Sequence, residues 1–311
     1  MKKINFNISK SLKSLMFKSR NVLLLLSLTM IFSGCYDLVA DIELPESDPK
    51  IVLHSFISPS DSLVMAVLTW SNPITGNQSH YEPEVIADAG VKIGEKGEYM
   101  HSMQYDSDLK IYFISNEIIQ VEVGKHYVIS AELPDGQFVS AECYVPGKNE
   151  SLTINDIQIF ESEMWGKSLQ IEYSFNDPGG SEQYYYSSAY LDSRYFDYAS
   201  LEWRYYSEKL WTVYGNSFIY TDGEAPRDFI IRAEGYFYED QHPEVPYEDD
   251  RSVRVLLVQS DEHYYRYHKD LEDYYPDDFF SEPVHIYSNI EGGLGVFAGY
   301  NSYIVVQEVD F

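Results

Sequence analysis

Catalysis needs a nucleophile, an acid–base pair or a set of metal ligands at workable spacing, and this chain offers weak candidates of each kind. His263 and His268 lie five residues apart. Zinc-binding pairs on a helix use i, i+4, so these two do not share a face and do not read as a metal pair. Glu239, Asp240, Glu244, Glu248, Asp249 and Asp250 surround His242, Pro243 and Pro246, and Asp270, Glu272, Asp273, Asp277 and Asp278 form a second acidic cluster. Carboxylates of this kind can hold calcium or work as acid and base. Their spacing matches no ordered calcium loop, however, and among 50 acidic residues any chosen pair has little specificity. Cys143 alternates with Val139, Ala141 and Val145, which reads as a buried, inert thiol on a strand face. Gly293, Gly295 and Gly299 resemble a dinucleotide loop only superficially, because the last glycine comes one position late and a strand follows instead of a helix. Glycines allowing bulges or close backbone approach account for them better. With no G-x-S-x-G elbow, P-loop or H-E-x-x-H, the chain reads as a non-enzyme with no metal and no cofactor.

Cys35 is the residue with a chemistry to assign. An apolar run from Asn21 to Phe32 ends in Ser33, Gly34 and Cys35. Lys2, Lys3, Lys10, Lys13, Lys18 and Arg20 precede it, and no acidic residue occurs up to Gly34. This is the order of a charged n-region, a short apolar region and a small-residue cleavage site. A bilayer span takes about 20 apolar residues, and this run is shorter. A small-residue pair followed by cysteine resembles the lipobox of bacterial lipoproteins. That resemblance implies cleavage between Gly34 and Cys35, removal of residues 1–34 as a signal peptide, and lipid attachment at Cys35. Phe32 stands where an aliphatic residue is more usual. Stable anchoring takes more than one acyl chain, and the multiply acylated lipoprotein cysteine provides that.

Composition narrows the partners. The chain has 311 residues with 22 basic and 50 acidic side chains, a net charge of −28, and loss of the leader's cations makes the remainder still more anionic. Such a body repels nucleic acid and anionic lipid surfaces, so backbone-phosphate binding is excluded as a main activity. Residues 35–50 hold Asp37, Asp41, Glu43, Glu46 and Asp48 with Pro45 and Pro49, an acidic tether between anchor and body.

From residue 51 onward, short β-prone runs recur between turn residues. They fall at 51–57, 62–70, 85–93, 110–115, 118–123, 126–132 and 137–145. Pro134, Asp135 and Gly136 form a turn before the last. This spacing predicts an antiparallel sandwich, immunoglobulin- or transthyretin-like, over 51–146. Pro146 to Glu150 breaks the pattern and marks a boundary. A second, tyrosine-rich β domain with one or two short helices is expected over 151–311. Its strands are expected at 152–160, 168–175, 211–220, 229–236, 252–259, 283–290 and 303–309, with a glycine-rich connection before the last. Residues 191–210 are ambiguous between helix and loop. One helix is expected, capped by Ser260, with Asp261 and Glu262 in its first turn and Pro276 as its stop. Tyr264, Tyr267, His268, Leu271 and Tyr274 or Tyr275 would pack on the neighbouring sheet.

The second part holds most of the 29 tyrosines. Tyr184, Tyr185, Tyr186, Tyr205, Tyr206, Tyr264 and Tyr265 are the candidate binding surface, because tyrosine gives rigid, amphipathic contact area at low entropy cost. The competing account is that tyrosine simply suits half-buried strands. Asp61-Ser62-Leu63 is similar to an O-glycosylation site of exported Bacteroidota proteins, with Ser62 the acceptor.

Pro283-Val284-His285-Ile286-Tyr287-Ser288-Asn289-Ile290, followed by Gly293-Leu294-Gly295-Val296-Phe297, looks like the closing signature of the Bacteroidota lipoprotein family known as domain-of-unknown-function family number 4249. The strand from Val123 and the segment from Asp135 to Pro146 are also similar, and Ala298, where Gly is common, is a minor departure. The resemblance implies an outer-membrane lipoprotein, on the cell-surface face more readily than the periplasmic one. It also implies a gene often placed beside that of a TonB-dependent receptor of the nutrient-uptake type. With the anchor, the anionic body and the tyrosines, which suit a peptide or glycan ligand, it leads to the expectation of a binding or accessory module for such a transporter. A surface hydrolase using a carboxylate pair and a structural or adhesion component of the envelope are the alternatives. The family supplies no catalytic residues to carry over.

Overall fold

Period-2 alternation builds most of this molecule. The computed structural model describes residues 48–72, 83–162, 166–177, 179–180, 182–197, 200–212, 218–221, 227–237, 251–274 and 285–309, all within the unit Asp48–Phe311. The elements of that unit in chain order are β1 (Ile51–Ile57), β2 (Leu63–Trp70), β3 (Gly90–Glu95), β4 (His101–Ser102), β5 (Gln104–Asp106), β6 (Ile111–Ser115), α1 (Asn116–Ile119), β7 (His126–Glu132) and β8 (Phe138–Tyr144). They continue with β9 (Thr153–Ser162), β10 (Gly166–Asp177), β11 (Tyr184–Asp197), β12 (Glu202–Lys209), β13 (Trp211–Thr212), β14 (Ile219–Thr221), β15 (Arg227–Phe237), β16 (Arg251–Ser260), α2 (Glu262–Asp273) and β17 (Leu294–Glu308). The protein is mainly β with two short helices, as the sequence pattern requires. No helix among the described residues is long and apolar enough to cross a membrane.

One nine-stranded sheet, in the order β12-β11-β16-β17-β1-β2-β6-β5 with β14 added beside β11, serves two hydrophobic cores. The smaller sheet β4-β3-β7-β8 contributes to the first, where Leu53, Leu68, Ile93, Ile129 and Val139 are fully buried. The sheet β13-β15-β10-β9 contributes to the second, where Leu169, Tyr173, Tyr185, Val253 and Val255 are buried and Phe175 stacks on Phe229 at 4.7 Å. Each such aliphatic side chain contributes about 2 kcal/mol on leaving water.

The strand that joins the two cores is β17. Its first half, Leu294 to Gly299, runs parallel to β1, and its second half, Tyr300 to Glu308, runs antiparallel to β16. Ile290 and Phe297 therefore belong to the first core although they lie far along the chain. The glycine-rich stretch expected as a connection is strand instead, because its glycines let two backbones meet. A Cβ on Gly295 would strike the backbone oxygen of Leu53, and one on Gly299 that of Tyr144. Just before it, Asn289 Nδ2 donates to the carbonyls of Glu142 (3.1 Å) and Phe297 (2.8 Å), and its Oδ1 accepts the Phe297 N–H at 3.0 Å. The Ser-Asn-Ile of the closing signature is thus a clasp between the last strand and β8, and residues 285–290 form no strand.

Three other expectations need correction. Residues 118–123 form a turn of helix and a loop, because Ser115 caps α1 and Asn116 Oδ1 takes the Val121 N–H at 2.9 Å. The ambiguous stretch 191–210 is a hairpin, β11 paired with β12. The cap of α2 is Asp261, whose Oδ1 accepts the Tyr264 N–H at 2.8 Å, and Ser260 closes β16.

Candidate functional site

Helix α2 lies on the outer face of the large sheet, opposite the cores. In β1 the inward residues are Ile51, Leu53, Ser55 and Ile57, so Val52, His54 and Phe56 face outward. Phe56 meets Tyr264 at 5.5 Å and His268 at 5.4 Å, and the Tyr267 hydroxyl lies 3.1 Å from His54 Nε2. From β11, Tyr184 packs on Tyr265 at 5.0 Å and Tyr186 on Tyr264 at 6.4 Å. The expected helical face does pack on the sheet through Tyr264, Tyr267 and His268, whereas Leu271 and Tyr274 stay exposed.

The tyrosine candidates consequently divide into three. Tyr185 is core. Tyr184, Tyr186, Tyr264 and Tyr265 form a half-buried aromatic layer between sheet and helix. Tyr205 and Tyr206, on the sheet-edge strand β12, are 82% and 54% exposed. Arg194 stacks on neighbouring Trp203 at 4.5 Å and reaches Tyr205 at 5.9 Å. Ser62 is exposed, beside Asp61, whose carboxylate accepts the Tyr300 hydroxyl at 2.9 Å. Gly34 and Cys35, and the acidic loop at 239–250, lie outside the described residues. In the second acidic cluster Asp270 accepts the Tyr287 N–H and Glu272 the Phe218 N–H. These carboxylates fix loops, and among the described residues no group of side chains could hold a metal ion.

The feature that sequence reading missed is a cleft of about 660 Å³ beside the first turn of α2. One wall comes from β7 and β8 with the chain that leaves β8: His126, Glu142, Tyr144, Pro146 and Gly147. The other comes from the entry to β11, the end of β16 and the helix start: Glu182, Gln183, Tyr184, Gln259, Glu262 and His263. At its base Asp261 is buried, and Oδ2 accepts the N–H groups of Gly299 (3.1 Å) and Tyr144 (3.2 Å). Burial pushes the Asp261 carboxyl above the usual range, opposed by those backbone donors. Buried Cys143 is pushed well up by desolvation and then by Asp261, which makes it a poor nucleophile.

The cleft is lined for contact. The His126 and Tyr144 rings lie together at 5.1 Å on its first wall. Glu142 is tied to Lys96 at 2.6 Å and His126 at 3.0 Å, and Lys96 holds it below the ordinary carboxylate range. Glu262 pairs with Arg266 at 3.2 Å. Glu182 takes the Thr221 hydroxyl at 3.1 Å and no ion pair among the described residues. Tyr184 is pushed up to about 12 by burial and then by the charges of Glu182 and Glu262. Gln259 Nε2 donates to Gln183 Oε1 at 2.5 Å, fixing both amides. None of these groups sits as a nucleophile beside an orienting base. The sequence places Asp261 and Glu262 in the first turn of a helix, but nothing in that spacing points to a cleft.

A comparison with curated proteins gives no match. A family model described as a domain of unknown function, DUF4249, matches residues 39–303, and the chain belongs to that family.

Proposed function

We propose that this chain is a non-catalytic binding module, held on the outer membrane by acyl groups on Cys35 and working beside a TonB-dependent nutrient transporter. The observation that carries the binding role is the cleft beside α2, whose buried carboxylate, Asp261, is occupied by backbone donors and whose walls carry rings, amides and carboxylates. The leader ending at Gly34 and Cys35 supports the anchor. Strand β1 then carries the chain about 20 Å from its first residue toward Ile57, which pairs with Gly299 at the base of the cleft. The exposed hairpin strand β12, with Trp203, Tyr205 and Tyr206, is the surface best suited to meet a partner protein.

The test is affinity purification of the tagged full chain from detergent-solubilised outer membrane. A transporter recovered with wild type and lost with Cys35→Ser is the expected result. Recovery of the chain alone under every growth condition overturns the accessory role.

A further inference from the structure

We propose that the cleft beside α2 is a binding site for a neutral saccharide. The inference deepens the reading of the chain as a binding module and rests on it.

Charge decides first among ligand classes. Among the described residues no lysine or arginine lines the cleft, and Lys96 and Arg266 nearby are held by Glu142 and Glu262, so phosphate, sulfate and uronate groups would meet carboxylates with little to offset the repulsion. The paired carboxylates do not call for a cation either, which leaves Glu182 as the wall acid without an ion pair among the described residues. Glu142 already holds Lys96 and Glu262 already holds Arg266. Burying a further cation against these spent acids would cost desolvation with little Coulombic return.

Shape and lining decide next. The volume, about 660 Å³, is in the range that encloses a small ligand. Apart from ring faces the lining is mostly polar, which disfavours an acyl chain or an aliphatic peptide. Tyr144 and His126 present rings from one wall and Tyr184 from the other. The negative face of an aromatic ring attracts the positive C–H edge of a pyranose, while carboxylates and amides take its hydroxyls. Glu182 on the second wall, bound only to hydroxyls, supplies an acceptor for such a diol. A polyol is the ligand that uses both the rings and the uncharged hydrogen-bonding capacity together.

The experiment is calorimetric titration of the full chain in detergent with cellotetraose, xylotetraose, mannotetraose and chitotetraose, and with tetralysine and tetragalacturonate as charged comparators. Gly147→Trp is the blocking variant, since nothing lies within 4 Å of the position a Cβ would take there. Tyr144→Ala removes a stacking face that is 39% exposed. Leu109→Ala, 67% exposed between β5 and β6, is the control outside the cleft. Expected is binding of at least one neutral tetrasaccharide, weakened about tenfold or more by each cleft variant, roughly 1.4 kcal/mol, and unchanged by Leu109→Ala. No neutral binding at millimolar concentration, binding only of a charged comparator, or neutral binding indifferent to both cleft variants overturns the proposal. Co-purification of a transporter with a chain that binds no saccharide would sink this inference alone and leave the accessory role standing.

Discussion

Asp261 and the Gly299 backbone hold each other twice, once through the Asp261 carboxylate and once through its backbone N–H. Asp261 Oδ2 accepts the Gly299 N–H at 3.1 Å, and the Asp261 N–H donates to the Gly299 carbonyl at 3.0 Å. Because Gly299 is where β17 passes from β1 to β16, this pair fastens α2 to the strand shared by the two cores. Removing the carboxylate costs the helix its cap, about 1 kcal/mol, and orphans the Tyr144 and Gly299 donors at about 1 kcal/mol or more each. Asp261→Ala should therefore lose about 3 kcal/mol in urea unfolding, and Asp261→Asn, which keeps one acceptor oxygen, clearly less. Equal losses for the two would show that the side chain acts only by filling space.

The parallel pairing of β1 with β17 depends on Gly295. Its φ is +108°, and an added Cβ would strike the Leu53 backbone. Strain and collision together should make Gly295→Ala cost about 3 kcal/mol or more. Gly97 also has positive φ, +88°, but open space around it, so Gly97→Ala should cost only about 1 kcal/mol. Denaturation of the two variants side by side separates backbone approach from backbone conformation. Similar losses would remove the close approach from the account.

These two glycines also mark what the residues could and could not tell. Where one face is buried and the other wet, the pattern is legible: Val139, Ala141, Cys143 and Val145 alternate in the sequence and are all buried. The helix is legible through its ring spacing and its acidic start, although the cap expected at Ser260 falls on Asp261. Residues 202–209 carry no period because nearly every position of β12 is exposed, so nothing forces alternation. The β-branched run at 118–123 favours a strand, and the single side chain of Asn116 overrides it by bonding Asp61, Ser58 and Val121. The cleft has no local signature at all. Its walls come from residues near 126, 142, 183 and 262, and only the return of the last strand to β1 brings them together.

The tyrosines are separable by stability. Tyr185, 1% exposed in the second core, meets Phe175 at 5.1 Å, so Tyr185→Ala should cost about 4 kcal/mol. Tyr205→Ala and Tyr206→Ala should each stay within about 0.5 kcal/mol. If β12 is the partner-facing surface, these two variants reduce transporter recovery from solubilised membrane while melting like wild type. Undiminished recovery from the double variant would move the partner surface elsewhere.

The aromatic layer under α2 should make stability depend on pH through His54 and His268. Burial lowers both imidazole pKa values below the ordinary 6.5, although for His268 the Tyr264 carbonyl at 3.0 Å from Nδ1 works the other way. With the folded value below the unfolded one, the unfolded chain takes up protons first as pH falls. The contribution is then fully present above about 6.5 and is lost as pH drops through that value toward the folded pKa. Carboxylates titrate lower and are common to any pair of proteins compared, so the difference between wild type and a His54→Gln, His268→Gln double variant isolates the imidazoles. Wild type should lose more stability than the double variant between about pH 7.5 and about pH 5. Because His268 lies between Phe56, Tyr186 and Tyr264, and His54 meets Tyr267 of the same helix, the loss should appear first as faster amide exchange in α2 ahead of either core. Parallel stability curves, or exchange that rises in the cores before the helix, would show that these imidazoles are already solvated in the folded protein.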